Sequence, residues 1–323
     1  MRSAWLVVLA GCGGASSIVG SDGATGALDA RLVDAPPPVA AGCITDITAG
    51  DHTFTCGGLR VDVRIPVACE APGCGLILEL HGDTGSGLLM DGHTNLRALG
   101  AQHGYIVIAP SGPPWPGGPG STWHASNDAT LVDMTTQVRD VFRVDANKIH
   151  VTGFSRGSFV TWRLLCDHAE LFASAAPGGG GDGTSFGEQT CFSNNRKPSR
   201  NLPILFLMGQ QDASVGYASL VQIRDAAVAT YQLGNPMTLD ADTSYHHDRW
   251  SSNAAATVPT VIETFDHGYV TVADGPFGSA QGHCIPGSTS DPYAVQYAIP
   301  CKGPDAFVWG EQVMQFFLAH PKT

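Results

Sequence analysis

Basic residues are scarce in this chain. Its 323 residues include 17 Lys and Arg against 29 Asp and Glu, which gives a formal net charge of −12. Because nucleic-acid binding depends on clustered Lys and Arg side chains, the chain is not expected to bind DNA or RNA. The sequence also lacks a run of eighteen apolar residues, so no transmembrane helix is predicted. It has no C-x-x-C pair and no Cys/His cluster with zinc spacing, so no metal site is expected.

The first twelve residues are similar to an export signal. Arg2 precedes a short apolar run, and the segment ends in the letters LAGC at Cys12. This ending resembles the lipobox of bacterial lipoproteins, in which the cysteine is lipidated and becomes the first residue of the mature protein. We therefore predict a signal peptide over residues 1–11 and a lipid anchor on Cys12, with an ordinary short secretory signal as the alternative. Both interpretations place the protein outside the cytoplasm, either secreted or held at the bacterial cell envelope.

Eight further cysteines follow Cys12. An even number of cysteines in an exported chain favours disulfide bonds, although eight cysteines allow 105 connectivities. Their spacing favours bonds between sequential pairs. These pairs are Cys43–Cys56, Cys69–Cys74, Cys166–Cys191 and Cys284–Cys301.

The composition of the chain changes near residue 42. Residues 12–42 are rich in Gly, Ala, Ser, Asp and Pro, which predicts a flexible tether. From Cys43 onward, short apolar runs alternate with amphipathic segments. Most of the runs are nearly continuous and end at Gly or Pro, which is typical of buried strands in a parallel sheet. The alternation predicts one α/β domain over residues 43–323, with a mostly parallel central sheet and helices on both faces.

Two G-x-S-x-G matches occur, and in a chain with 40 glycines either one could arise by chance. Ser155, in the first match, follows the strand candidate KIHVT and precedes a segment that can form a helix. This context is typical of a nucleophile elbow, in which small flanking residues relieve crowding around a serine held in strained backbone. Ser185, in the second match, follows GGGGD and lies in a predicted loop. We therefore predict that Ser155 is the nucleophile.

A serine hydroxyl needs a histidine to take its proton and an acid to orient that histidine. In α/β hydrolases the acid follows the serine along the chain, and the histidine comes last. Asp212 lies in a turn just beyond the strand candidate LPILFLMG and is the predicted acid. His283, in a loop bounded by Gly and Pro, is the favoured histidine, and His267 is a competitor by position. His246 and His247 lie in a polar stretch that we expect to be helix or loop.

Two backbone N–H groups are expected to bind the oxyanion that forms during acyl transfer. One is predicted at Arg156, directly after the nucleophile. The other is predicted in the segment LHGDTGSG, at Asp83, with Thr84 as the second choice. An acidic side chain beside a developing oxyanion is unfavourable. We therefore expect the Asp83 carboxylate to point away or to be hydrogen-bonded.

Together these segments resemble the extracellular esterases grouped with polyhydroxybutyrate depolymerases and feruloyl or acetylxylan esterases. The resemblance runs from about Leu59 to the C-terminus. It covers LHGDTGSG, VDANKIHVTGFSRGS, PILFLMGQQDASVGY, GHCIPG and FFLAHP in the family's order. The GHxxPG letters resemble the loop that carries the family's catalytic histidine, which favours His283 over His267. The aspartate of the family's HGxxD turn matches Asp212.

The resemblance implies an α/β-hydrolase that cleaves carboxylic esters without a cofactor. Ser155 would attack the ester carbonyl, His283 would act as base and then as acid, and Asp212 would fix the imidazole tautomer. The implied substrates are feruloyl or acetyl esters of plant polysaccharide, with polyhydroxybutyrate or another short-chain polyester as the alternative. The chain departs from the family at Arg156, where a small residue is frequent, and at Met208, where histidine is common.

Several expectations concern substrate binding and other functions. Trp123 aligns loosely with a tryptophan of the family and, with Thr84, is a weak candidate for substrate binding. Trp115, in the same loop, is less favoured. The alternative functions are a serine peptidase on the same fold and a non-catalytic surface binding protein, and the intact serine, acid and histidine argue against the second. We expect a monomer whose partner is its ester substrate and which meets a membrane only through Cys12.

Overall fold

A computed structural model describes residues 37–193, 195–253, 260–271, 281–288 and 299–322. The predicted signal peptide, Cys12 and the tether as far as residue 36 lie outside these residues. The described part of the chain belongs to one compact unit, Pro36–Thr323. None of its helices is long and apolar enough to cross a membrane.

The described residues form one ten-stranded sheet. Its strands are β1 (Gly50–Cys56), β2 (Leu59–Ile65), β3 (Gly75–Leu80), β4 (Tyr105–Pro110), β5 (Ile149–Phe154), β6 (Ser174–Gly178), β7 (Ile204–Gly209), β8 (Met237–Ala241), β9 (Tyr245–Ser251) and β10 (Val261–His267). Their order in space is β1-β2-β4-β3-β5-β6-β7-β10-β9-β8. The six central strands run parallel, and two antiparallel pairings extend the sheet at each edge. The prediction of a mostly parallel sheet is confirmed.

Helices cover both faces of this sheet. They are α1 (Gly87–Thr94), α2 (Leu96–Gln102), α3 (Asp128–Phe142), α4 (Arg156–Asp167), α5 (Tyr217–Tyr231) and α6 (Trp309–Ala319), and short 3₁₀ turns lie at Val67–Glu70, Ala125–Asn127 and Thr184–Phe186. Because successive strand residues point to opposite faces, β3 contributes Leu76 and Leu78 to a core shared with α3, α4 and α5. Its Ile77 joins a second core with α1, α2 and α6.

Strand β9, the second strand from one edge of the sheet, corrects one expectation from the sequence. His246 and His247 lie on this strand, not in a helix or loop. The strand pairs with β10 on one side and β8 on the other, and it buries Tyr245 and Trp250. Its other side chains are at least partly exposed, so the apolar periodicity that identifies central strands is weak here.

Four disulfide bonds join the sequential pairs expected from the spacing: Cys43–Cys56, Cys69–Cys74, Cys166–Cys191 and Cys284–Cys301. The first bond ties the segment before the sheet to the end of β1. The last bond closes the loop after β10, directly beside His283. Cross-links of this kind stabilise a fold chiefly by restricting the unfolded chain.

A buried carboxyl group lies in the middle of the sheet. Glu79, on β3, is completely buried, and its Oε1 accepts a hydrogen bond from the Thr94 hydroxyl. Its Oε2 has no hydrogen-bond partner among the described residues. Burial and the nearby charge of Asp91 raise the pKa of this carboxyl well above its usual value, and the opposing effects of Thr94 and Arg97 are smaller. Glu79 therefore keeps its proton to a higher pH in the folded protein than an exposed glutamate does.

Replacing Glu79 by glutamine is expected to stabilise the protein in a pH-dependent way. The unfolded chain loses this proton above about pH 4.5, whereas the folded chain keeps it to a higher pH. The wild type therefore loses stability as pH rises from about 4.5 towards the raised pKa of the folded state. Glu79→Gln removes this loss. At pH 8 the Tm of the variant should exceed that of the wild type by about 2–4 °C for each kcal/mol gained in the free energy of unfolding. Near pH 4 the two Tm values should be close.

Glu263→Gln is the matched control. Glu263 is also buried, but its carboxylate accepts hydrogen bonds from Arg249 and His247, each at 2.8 Å. Burial raises its pKa, yet the bonds from these two partners outweigh burial and hold the pKa below the usual value. This variant should lose stability at neutral pH. A Glu79→Gln protein with an unchanged or lower Tm at pH 8 would contradict the prediction.

Candidate active site

Ser155 occupies a sharp turn between β5 and α4, in the strand–turn–helix context that the sequence predicts. Its backbone has φ 55° and ψ −116°, a region that residues with a side chain rarely adopt. The two flanking glycines are required by space. A Cβ on Gly157 would lie 2.2 Å from Leu80 O, and a Cβ on Gly153 would lie 2.5 Å from Gly157 O. Close packing of α4 against β3 thus holds the serine in its strained conformation.

Asp212 and His283 form a buried pair. His283 Nδ1–H donates to Asp212 Oδ2 at 2.7 Å, and the two side chains are 4% and 1% exposed, respectively. The backbone N–H groups of Ser214 and Val215 donate to the other carboxylate oxygen, both at 2.9 Å. Burial raises the pKa of Asp212, but the charge and hydrogen bond of His283 and the two amides outweigh burial, so the net pKa is below its usual value. Asp212 is therefore ionised at neutral pH.

The imidazole of His283 lies beside the Ser155 turn. Its ring centroid is 4.8 Å from that of Phe154, the residue directly before the serine. A Cβ on Gly179, which follows β6, would lie 3.3 Å from His283 Cε1. Ser155 and His283 line the same cavity. The structure therefore brings together the predicted nucleophile, base and acid from three separate loops.

The loops that carry Asp212 and His283 are packed closely against each other. Gly282 N donates to Gln211 O at 2.8 Å. A Cβ on Gly209 would lie 2.0 Å from Gly282 O, so only glycine fits at the end of β7. With the disulfide at Cys284, these contacts fix the histidine loop on both sides of His283.

The competing histidine, His267, lies at the end of β10 and is completely buried. Burial lowers its pKa to about 4, so the ring is neutral at pH 7. The Asp212 carboxylate bonds to His283, which favours His283 as the base. The side-chain nitrogen of His267 also lies within 4.8 Å of the sulfur atoms of Cys284 and Cys301. Because these sulfurs are joined in a disulfide, they offer no thiolate to a metal ion.

The loop that is predicted to supply an oxyanion donor, residues 81–85 and here called the oxyanion loop, lies directly over Ser155. A Cβ on Gly82 would be 3.1 Å from Ser155 Cβ. The backbone N–H of Thr84 is engaged, since it donates to Ser121 O at 2.7 Å, which favours the neighbouring Asp83 as donor. The Asp83 carboxylate accepts hydrogen bonds from the Thr122 hydroxyl and from Arg156 Nε. The expectation that this carboxylate is hydrogen-bonded is confirmed.

Comparison with known proteins finds partial sequence similarity to esterases. No family model matches the chain. Acetylxylan esterase A of Aspergillus awamori is 33% identical over 112 residues, which are 31% of this chain and 36% of that protein. The putative esterase NocK of Nocardia uniformis subsp. tsuyamanensis is 27% identical over 220 residues, 64% of this chain and 61% of that protein. The chain thus spans about a third of the length of the acetylxylan esterase that it matches.

A solved structure decides the fold. The acetyl xylan esterase from Aspergillus awamori superposes with a TM-score of 0.52 at 20% identity, over 68% of this chain and 94% of that chain. The chain has the α/β-hydrolase fold, and part of its sequence is similar to acetylxylan esterases. The fold class and the family resemblance predicted from the sequence are confirmed.

The candidate site opens into a cavity of about 250 Å³. Its walls combine Ser155, His283 and the oxyanion loop with a set of mostly apolar and aromatic side chains. These are Leu89, Met90, His93, Trp115, Phe159, Phe186, Val215 and Ile299. Leu89 and His93 are four residues apart on α1 and share one face of that helix. Apart from Trp115, the sequence analysis did not identify this set, because helical spacing shows that an apolar face exists but not what it faces.

The structure corrects the expectation for Trp123. Its side chain is completely buried, and its indole N–H donates to His81 O at 2.9 Å. Its ring also packs against the His81 imidazole, with centroids 4.8 Å apart. Trp123 therefore packs against His81, just after β3, and does not line the cavity. Trp115, the less favoured tryptophan, does line the cavity. Thr84, the other weak candidate, lies in the cavity wall.

An Asp212→Asn substitution tests the role of the buried pair in the α/β-hydrolase. Asparagine keeps the shape but cannot stabilise a charged imidazole, and it favours the wrong tautomer. We expect kcat on p-nitrophenyl acetate to fall about 10³–10⁴-fold with Tm changed little. Asp266→Asn is the matched control, since Asp266 is half-buried at the end of β10 and binds Tyr217, not His283. A kcat of Asp212→Asn within tenfold of the control would exclude Asp212 as the acid.

Proposed function

We propose that this protein is a serine esterase that hydrolyses carboxylic esters through an acyl-enzyme. The observation that carries the proposal is the buried Asp212–His283 hydrogen bond beside a serine on a strained turn, with all three groups next to one cavity. The names of the related esterases support the same reaction class. Four disulfide bonds favour an oxidising compartment, so we place this activity outside the cytoplasm.

The proposed mechanism follows from the hydrogen bond between His283 and Asp212. His283 Nδ1 bonds to Asp212, and His283 Nε2 takes the proton of the Ser155 hydroxyl. The serine oxygen attacks the ester carbonyl, and the backbone N–H groups of Asp83 and Arg156 stabilise the oxyanion. The protonated imidazole, stabilised by Asp212, then gives its proton to the departing alcohol. Water activated by His283 releases the acid and restores the serine.

The size and the lining of the cavity indicate which acyl group would fit the site. Trp115, Phe159 and Phe186 line its walls, and its volume of about 250 Å³ is larger than an acetyl group needs. Aromatic side chains pack well against a planar aromatic acyl group, by offset or edge-to-face contacts. We therefore favour feruloyl esters of plant polysaccharide. Acetyl esters are the second candidate, since the first relatives are acetylxylan esterases.

A panel of esters tests the reaction and the substrate together. The purified protein is offered methyl ferulate, acetylated xylan and p-nitrophenyl acetate, beside Ser155→Ala and Ser185→Ala variants. Ser185, from the second G-x-S-x-G match, is the matched control. We expect Ser155→Ala to lose more than about 10³-fold in kcat and to resist a fluorophosphonate probe, while Ser185→Ala stays active and labelled. Hydrolysis that survives in Ser155→Ala would refute the serine mechanism.

The aromatic wall gives a separate test of acyl-group preference. Phe186 is 42% exposed, so the fold should tolerate Phe186→Ala. Loss of an aromatic contact worth about 0.5–1.5 kcal/mol should raise KM for methyl ferulate about 2–12-fold and change KM for p-nitrophenyl acetate less. Leu318→Ala is the control, because Leu318 is 41% exposed and lies away from this cavity on α6. Equal changes for both substrates would speak against an aromatic acyl site.

A further inference from the structure

The backbone and the side chain of Arg156 both take part in the proposed site. Its backbone N–H is one of the two proposed oxyanion donors. Its Nε lies 3.2 Å from both carboxylate oxygens of Asp83, whose backbone N–H is the other proposed donor. The side chain of one donor residue thus holds the loop that carries the second donor.

The loop around Asp83 depends on such contacts. Thr84 has φ 66°, in the left-handed region, a strained conformation for a β-branched residue that persists only where the surroundings hold it. On one side, His81 Nδ1–H donates to Gly82 O at 2.6 Å. On the other, Thr84 N donates to Ser121 O. Between these two fixed points, the Asp83 carboxylate accepts hydrogen bonds from the Thr122 hydroxyl and from Arg156 Nε.

A chain of alternating charges holds Arg156 in turn. Arg156 Nη1 lies 2.5 Å from Glu188 Oε1, and the other oxygen of Glu188 bonds to Arg163. Arg163 is 3% exposed and makes two parallel bonds to Asp128, at 2.7 and 2.8 Å. Two-point arginine–carboxylate pairs of this kind are geometrically specific. The chain therefore runs from a buried anchor on α3 and α4 to the loop above the nucleophile.

We propose that the Arg156 guanidinium is a positioning group for the oxyanion hole, and that Glu188 and Arg163 hold it in place. This inference rests on the proposed esterase function. Arg156 orients the peptide of Asp83 so that both N–H donors point to one oxyanion position. It also neutralises the Asp83 carboxylate, which would otherwise repel the oxyanion in a partly buried site.

The two parts of this role predict different mutant behaviour. Arg156→Gln loses the ion pair and leaves the Asp83 carboxylate uncompensated, so kcat should fall about 10²-fold, the scale of losing one oxyanion donor. Adding Asp83→Asn to Arg156→Gln removes the uncompensated charge and should restore part of kcat. Glu188→Gln leaves the Arg156–Asp83 pair but loosens it, and we expect a loss of about 5–10-fold.

The experiment separates positioning from general stabilisation. For each variant we would measure kcat and KM on the ester that the wild type hydrolyses, the inhibition constant of phenylboronic acid as a tetrahedral analogue, and Tm. The active fraction comes from titration with a fluorophosphonate. Positioning predicts that kcat per active site and boronate affinity fall together while KM stays within about threefold. Arg156→Lys, which keeps the charge without the planar fork, should recover less than half of the loss on a logarithmic scale.

Glu263→Gln is the matched control here too, because it removes a buried carboxylate that bridges two basic groups away from the cavity. It should lower Tm without changing kcat per active site. If Arg156→Gln and Glu188→Gln also lower only Tm, the ion chain is structural and the inference is wrong. If Arg156→Gln does not fold, kcat per active site, boronate affinity and Tm of Glu188→Gln and Asp83→Asn distinguish positioning from general stabilisation. An inactive wild type would instead refute the proposed function itself.

Discussion

The site depends on the packing of α4 against β3 beneath Ser155. Gly157 approaches Leu80 O so closely that no side chain fits between them. This contact makes the chain turn from strand to helix within one residue, and it imposes a positive φ on the serine. The turn is held from the other side as well, because Ser155 N donates to Gly178 O of β6 at 2.8 Å. Neighbouring strands therefore maintain a conformation that the serine alone would not adopt.

The same sheet order brings the other groups to this turn. The oxyanion loop follows β3, Asp212 follows β7 and His283 lies on the connection after β10, and the carboxyl ends of parallel strands meet at one edge. Burying an ionised carboxylate is costly unless its hydrogen bonds are supplied. Asp212 receives them from two amides and an imidazole. The close contact of Gly209 with Gly282 O keeps the acid and histidine loops at this separation.

The sequence predicts features that neighbouring residues encode, and it does not predict features that depend on partners distant in the chain. Ser155, Asp212 and the central strands stand out because glycines, turn residues and continuous apolar runs encode them within a few neighbouring positions. β6, with the letters SAAPG, escaped prediction because its small residues carry no strand preference and its identity comes from pairing with β5 and β7. Trp123 was misjudged for a related reason. Its indole is buried against His81, a partner distant in sequence that no local pattern reveals.

Met208 and Arg156, the two departures from the family's pattern, differ in what they require from their surroundings. Met208 is completely buried among apolar side chains on β7, where it fills space and needs no partner. Arg156 needs partners, because a cation at the first residue of a helix opposes the partial positive charge of that end. Asp83 and Glu188 supply them from two other segments. The arginine at this position is therefore stabilised as part of a set of three residues, and that set was not visible at any single position of the sequence.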